Sequence, residues 1–359
     1  VIGRVLSKSD LVVLAVGVLA VAAAGIMHFG GVPAVLSFVV AGAAVALLAS
    51  LVGRSVEQLG DRFGPGATGV LQSALGNLPE LFIGFFALKA GLLAVVQAAI
   101  IGSILSNILL VLGLAFVVGG LRHGPQRFDS DRARTSTVLM VLATAALVMP
   151  SLAQYVHAPA APHEKALSLI VSAVLLGVFL LSLPAALKRS DSPAPAGTSP
   201  AGEHEGPRWP LWLAITMLTG ASLAAALVSD WFVSALEPAI TSLGVSQAFA
   251  GLVIVAIAGN AIENVVGIQL AYRNQADFAM SVIIQSPLQV ALVLAPALVF
   301  LSLFTATTLT LVFAPLLVMA VAIAVLATAF IVFDGESTWL EGVTLIALYA
   351  IIATTFWWG

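Results

Sequence analysis

Apolar residues run in long, uninterrupted stretches along this chain, and polar positions gather in short clusters between them. Eleven stretches approach the roughly 20 residues that a helix needs to cross a bilayer. They are 11–27, 32–52, 66–89, 94–118, 135–156, 166–187, 210–230, 246–272, 277–302, 306–332 and 339–357. The stretches are too long and too uniformly apolar for the alternating strands of a membrane barrel. In lipid every backbone amide must be bonded within its own segment, which favours helices. The pattern predicts an all-α polytopic membrane protein of about 11 transmembrane helices.

Composition supports this reading. Charged residues make up 9% of the chain and hydrophobic residues 60%, with a mean hydropathy of +1.11. A soluble domain carries roughly a quarter charged residues, so too few polar side chains exist here to coat a water-facing surface. A net charge of −3 supplies no general basic field for nucleic acid. The chain has no cysteine, which excludes disulfide and thiol chemistry. It has no P-loop, so it does not drive pumping with ATP by itself. Arg4 and Lys8 precede the apolar run Leu11 to Met27 as they would in a signal peptide. No Ala-x-Ala-like cleavage site followed by a soluble domain appears, and the run is expected to be a retained helix.

Basic residues suggest the orientation. With the N-terminus in the cytoplasm, Lys89 and Lys165 fall outside and the other 12 of the 14 Lys and Arg fall inside. Trp209, Trp212, Trp231, Trp339, Trp357 and Trp358 sit at span ends, as an interfacial aromatic belt would place them. Residues 188–209 are rich in Pro, Ala, Gly and Ser and read as a flexible cytoplasmic linker. Glu203-His204-Glu205 within it is expected to be a solvated loop rather than a cation site.

The linker leaves five spans on either side once the first helix is set apart. Each set carries one signature: Gly76-Asn77-Leu78-Pro79-Glu80 and Gly259-Asn260-Ala261-Ile262-Glu263. A serine follows each glutamate by 23 residues, Ser103 and Ser286, and a polar residue by 26, Ser106 and Gln289. Five is odd, so the second set must run upside down. The expected organisation is an N-terminal helix (1–31), a first five-helix repeat (32–187), the linker (188–209) and an inverted second repeat (210–359). Inverted repeats are a common transporter architecture, with the site near the midplane where the repeats meet.

Glu80 and Glu263 lie inside apolar spans, where a carboxylate costs several kcal/mol unless paired, protonated or hydrated. Two carboxylates with nearby amide and hydroxyl oxygens suit a hard divalent cation, because calcium takes six to eight oxygens in flexible geometry. The expected cation- and proton-binding set is Glu80, Glu263, Asn77, Asn260, Ser103, Asn107 and Ser286. Gly76, Pro79 and Gly259 interrupt helices and free carbonyls for the same purpose. Without a metal, two acids in a low-dielectric site favour taking up protons. Cation and proton then compete for the same oxygens, which is the core of an antiporter. His28, His123, His157, His163 and His204 all fall in expected loops, which disfavours imidazole-preferring metals. Glu57, Asp61, Asp230, Glu237 and Asp277 read as solvated helix ends. No cofactor is expected; the cation is cargo, and no catalytic residue is assigned.

These residues resemble the calcium (cation)/proton exchanger family of the calcium/cation antiporter superfamily. The first match runs from Gly76-Asn77 and Glu80-Leu81 through Ala87-Leu88-Lys89 and Val96-Gln97-Ala98 to Gly102-Ser103-Ile104-Leu105-Ser106-Asn107 and Gly113. The second is Gly259-Asn260-Ala261, Glu263, Ala271-Tyr272 and Ser286 with Gln289-Val290-Ala291-Leu292. Trp339-Leu340-Glu341-Gly342 matches as well. The resemblance implies eleven helices, two inverted five-helix repeats and alternating access. It implies that Glu80 and Glu263 bind cation and proton in turn, surrounded by Ser103, Asn107 and Ser286. It gives Gln97, Ser106 and Gln289 gating or site-lining roles. Three positions depart from the family pattern. Asn264 stands where a histidine is usual, Leu78-Pro79 replaces a small residue and threonine, and Gln285 replaces glycine.

The expected activity is antiport of cytoplasmic calcium for external protons in a bacterial-type plasma membrane. A sodium/proton or sodium/calcium antiporter on the same fold stays open, because of the three departures. A passive channel would show a selectivity filter or a symmetric oligomer pore. An intramembrane enzyme with a carboxyl dyad fits the repeat less well, since flanking Asn and Ser point to binding. Oligomeric state is not readable from the chain.

Overall fold

The computed structural model describes residues 6–62, 71–72, 75–189 and 208–358. The Glu203-His204-Glu205 triplet and most of the 188–209 linker lie outside the described residues. Twelve helices have defined bounds among the described residues. They are α1 (Lys8–Phe29), α2 (Ala34–Gly60), α3 (Leu78–Lys89), α4 (Leu93–His123), α5 (Ser130–Tyr155) and α6 (Glu164–Arg189). The others are α7 (Leu211–Leu243), α8 (Gln247–Gly259), α9 (Ala261–Tyr272), α10 (Ala276–Phe304), α11 (Pro315–Val332) and α12 (Trp339–Thr355). Two short strands, β1 (Gln126–Arg127) and β2 (Glu336–Ser337), pair antiparallel. The chain is therefore the helical membrane protein that its apolar pattern predicts. Among the described residues eight helices are long and apolar enough to span, or nine if α8 and α9, bent by 64° at their junction, form one span.

Several expected boundaries move. The 210–230 stretch continues as helix to Leu243. Asp230 is exposed, while Phe232, Val233, Leu236, Ala239 and Ile240 keep one face buried. A lone acid on the outward face does not end a helix whose inner stripe continues. The 306–332 stretch becomes helical only at Pro315, which opens α11 at a position where proline needs no amide donor. Of the 66–89 stretch, α3 accounts for the last 12 residues. His28 and His123, expected in loops, occupy the last turns of α1 and α4, because both helices run past the predicted span ends.

The chain forms two compact units. The first comprises Val1–Ile83 and Gly177–Ala239. Here α1 and α2 pack as a hairpin. Arg54 pairs with Asp10 at 2.8 Å, and the Trp209 indole Nε1 donates to the same carboxylate at 3.3 Å. Gln58 Oε1 accepts from the backbone amides of Arg208 and Trp209, and the Arg62 guanidinium donates to the Trp209 carbonyl. Trp209 is thus buried beside Leu6, Leu59 and Ala214 rather than facing an interface. At the opposite end of α1, Trp231 stacks on His28 and meets Phe29 edge-on.

The second unit comprises Gly84–Leu176 and Ile240–Gly359. Its centre is α4, where Ile100, Ile101, Ile104, Leu105, Ile108, Leu109 and Leu112 are all fully buried. A helix apolar on every face belongs inside a bundle. It packs on α8, α9 and α12. The crossing with α8 is backbone to backbone. A Cβ at Gly102 would strike the Leu252 backbone, and one at Gly251 would strike the carbonyl of Val95. Close approach through small residues is how membrane helices gain packing when burial from water is no driving force.

Candidate cation site

Three wide turns interrupt the helices of the second unit: Ser106–Val111 in α4, Ala250–Val255 in α8 and Val290–Leu294 in α10. Such π turns are rare and concentrate at functional sites. Glu80 and Glu263 are 183 residues apart, and the same offset carries Ser106–Val111 onto 289–294. The wide turns in α4 and α10 therefore recur at one place in the register that the two signatures share. A hydroxyl from α11 serves the first of them, with Thr328 Oγ1 donating to the Ile108 carbonyl at 3.3 Å.

Asn260 sits at the break between α8 and α9, with φ −95° and ψ 15°. Its side chain is 1% exposed and uses both ends. Nδ2 donates to Ser103 Oγ at 3.1 Å and to the Ala256 carbonyl at 3.0 Å. Oδ1 accepts from Ser286 Oγ at 3.1 Å. One amide thus joins α4, the α8–α9 break and α10, and it links the two serines that follow the glutamates by equal spacing. Asn107 lies one turn along α4 from Ser103 and donates from Nδ2 to the Ser103 carbonyl at 2.8 Å. Ser106 Oγ donates to that same carbonyl at 3.3 Å. Among the described residues the buried Asn107 Oδ1 atom has no hydrogen-bond donor, and neither has Asn264 Oδ1. A buried acceptor without a donor costs about 1–3 kcal/mol, and a hard cation satisfies such an oxygen.

Glu263 stands in the first turn of α9, partly buried and three residues past Asn260. An acid at that position is favoured by the exposed amides of a helix start. Gln289 is buried at the end of the α-helical part of α10, just before the wide turn. Pro287 inside α10 removes an amide donor beside Ser286. Asn77 and Glu80 belong to the first unit, where Glu80 is buried in the first turn of α3 and the Asn77 carbonyl accepts from the Leu81 amide. Among the described residues no three His, Asp or Glu side chains gather in one place. The oxygens gathered at Asn260 are those of neutral amides, hydroxyls and a backbone carbonyl.

The sodium/calcium exchanger protein family matches this chain over residues 33–188 and 213–358. The chain belongs to that family. Among this exchanger's relatives, a Ca(2+)/H(+) antiporter of Synechocystis is 36% identical over 336 residues, 89% of this chain and 90% of that one. The Ca(2+)/H(+) antiporter ChaA of Bacillus subtilis is 35% identical over 352 residues, 98% of this chain and 99% of that one. The solved structure of native YfkE is 33% identical, with a TM-score of 0.79 over 97% of this chain and 99% of that one. The exchanger resemblance carried by the two glutamate signatures holds.

Gln97, on the same helix α4 of the exchanger, hydrogen-bonds to the segment that joins α10 to α11. Between α10 and α11 the chain runs without helix from Thr305 to Ala314, yet Leu309, Leu311 and Phe313 are fully buried. Backbone at such depth needs hydrogen-bond partners, and side chains of neighbouring helices provide them. Gln97 Nε2 donates to the carbonyls of Thr310 and Val312 at 3.1 and 2.8 Å. Ser151 Oγ donates to the Leu311 carbonyl and accepts from the Phe313 amide. Ser168 accepts from the Leu311 amide, Ser302 from the Leu309 amide, and Tyr155 donates to the Phe313 carbonyl. Sequence reading passed over Ser151, Ser168, Ser302 and Tyr155 because isolated hydroxyls in spans usually serve as helix–helix contacts. The β-branched run Thr305 to Val312 ahead of Pro315 was the available signal. We expect Gln97→Ala to leave two part-buried carbonyls without this donor, at a total cost of about 1–3 kcal/mol. Thermal unfolding in detergent should show a lower midpoint, and an unchanged midpoint would show that the segment holds without Gln97.

Proposed function

We propose that this exchanger moves calcium out of the cytoplasm against inward proton flow by alternating access. The observation that carries the reading is the Asn260 amide joining Ser103 and Ser286 beside Glu263. It places an oxygen-rich, mostly neutral cluster inside a helical bundle, next to one titratable acid. That composition suits a hard cation with several oxygen ligands. The printed activities of the relatives from Synechocystis and Bacillus subtilis support calcium and protons as the exchanged ions.

In this reading Glu80 and Glu263 take up protons on the outer side as the cation leaves. The neutral site reorients, loses its protons to the cytoplasm and binds cytoplasmic calcium. Two protons per divalent ion balance the charge on two acids. The two five-helix halves, 32–187 and 210–359, act as inverted repeats. The matched positions of Ser106–Val111 and Val290–Leu294 support this, as does a family match on either side of the linker. The N-terminus and the linker face the cytoplasm of a bacterial-type plasma membrane, in keeping with the distribution of Lys and Arg.

The test is purified protein in liposomes loaded with a pH dye under an imposed pH gradient. Calcium should collapse the gradient and sodium should not. A response to sodium alone would overturn the calcium assignment, and no response to any cation would overturn exchange itself.

A further inference from the structure

A groove of about 290 Å³ runs between the first half of α5 and the last turns of α11. We propose that it is a binding site for one anionic glycerophospholipid, its phosphate on Arg134 and an acyl chain along the groove. The walls are apolar: Val138, Leu142, Ala329 and Phe330 line it, and the Phe330 side chain is 81% exposed. Its volume is close to the lower end of the range for ligand pockets, about 300–1,000 Å³. The groove is braced at its head, where β1 pairs with β2 and the Phe128 amide donates to the Gly335 carbonyl.

Charge selects the occupant. Arg134 is exposed at the rim, and its guanidinium lies over the Phe333 ring at 4.8 Å from the centroid. Four described carboxylates lie at the same end, Asp129, Asp277, Asp334 and Glu336, and Asp277 accepts from the Asp129 amide. Glu336 pairs with Arg127 at 3.3 Å, and Asp334 accepts from the Glu336 amide. Among the described residues Arg134 has no carboxylate partner. An arginine fork matches phosphate geometry. Basic pockets between spanning helices on the cytoplasmic side are suited to anionic headgroups, and the Lys and Arg distribution assigns this end of α5 to that side.

The measurement is native mass spectrometry of delipidated protein in detergent. Phosphatidylglycerol or phosphatidylcholine of identical chains would be added in separate titrations. Wild-type protein should retain phosphatidylglycerol in preference. Arg134→Gln should weaken that lipid about fivefold, as one basic group near the surface contributes about 1 kcal/mol, and weaken phosphatidylcholine less, because its choline already offsets the phosphate charge. Ala329→Trp, which fills the groove, should lower retention of both. Equal retention of the two lipids by wild type would overturn the site, and so would a preference that survives Arg134→Gln. Arg134→Gln changes an exposed side chain, and an unchanged melting midpoint confirms that the comparison is between folded proteins. The readout is binding, so it stands or falls separately from ion exchange.

Discussion

Glutamine in place of Glu263 should abolish calcium-driven proton movement in liposomes while leaving the protein folded, and Glu80→Gln should do the same. Each change keeps side-chain volume and removes the only group at that position that can alternate between a proton and a cation. Removing the carboxylate partner of a buried cation costs about 3–5 kcal/mol, as for a broken buried ion pair, and tenfold in binding corresponds to about 1.4 kcal/mol. Exchange should therefore fall by roughly two to three orders of magnitude. Folding should survive, because a neutral amide in an apolar span is less costly than a carboxylate. The paired readouts are proton flux and a melting curve on the same preparations. Near wild-type flux in either variant would sink the assignment of that glutamate. Flux lost together with the cooperative melt would mean that the acid is structural.

Asn260→Ala should produce the next largest effect, and of a different kind. Asn260 holds Ser103 and Ser286 through one amide, 3.1 Å from each hydroxyl. Alanine releases both and removes the side-chain bond to the Ala256 carbonyl, which keeps the bond from the residue 260 amide. Partners that orient ligands typically contribute about 10–100-fold to metal affinity. The calcium concentration giving half-maximal proton flux should rise by that factor. Asn260→Asp keeps an acceptor for Ser286 but loses the donor to Ser103, so its half-saturating concentration should fall between wild type and Asn260→Ala. A calcium titration in dye-loaded liposomes separates the cases. A half-saturation for Asn260→Ala within twofold of wild type would show that the amide only fastens the helix break. In that event the ligand oxygens must be sought at Asn107 and Asn264, whose buried Oδ1 atoms have no donor among the described residues.

How far the sequence could be read depends on which interactions are local. Apolar length along the chain was enough for the helical membrane fold, because lipid leaves a spanning backbone few alternatives. The paired signatures with matching downstream spacing were enough to bring Asn260, Ser103 and Ser286 into one list, because equal spacing puts them at matching positions along the chain. Boundaries were less legible. Hydropathy does not distinguish apolar helix from apolar extended chain, so 306–314 read as the start of a span. Nor does it reveal a helix continuing on one buried face past Asp230. The hydrogen bonds of Gln97 were not legible for the same reason: its partners are backbone carbonyls more than 200 residues away.

The sequence by itself determined that this chain is a helical membrane exchanger and where its acids and amides lie along the register. Those properties follow from residue type and spacing, which each segment carries alone. Only the tertiary structure decided that one asparagine side chain joins both serines. It also decided that three helices widen into π turns, and that a buried extended segment is held by Gln97, Ser151 and Ser168. Hydrogen bonds between distant segments depend on how the helices cross. Those crossings are set by contacts such as Gly102 on Leu252 and Gly251 on Val95, which no single stretch of sequence contains.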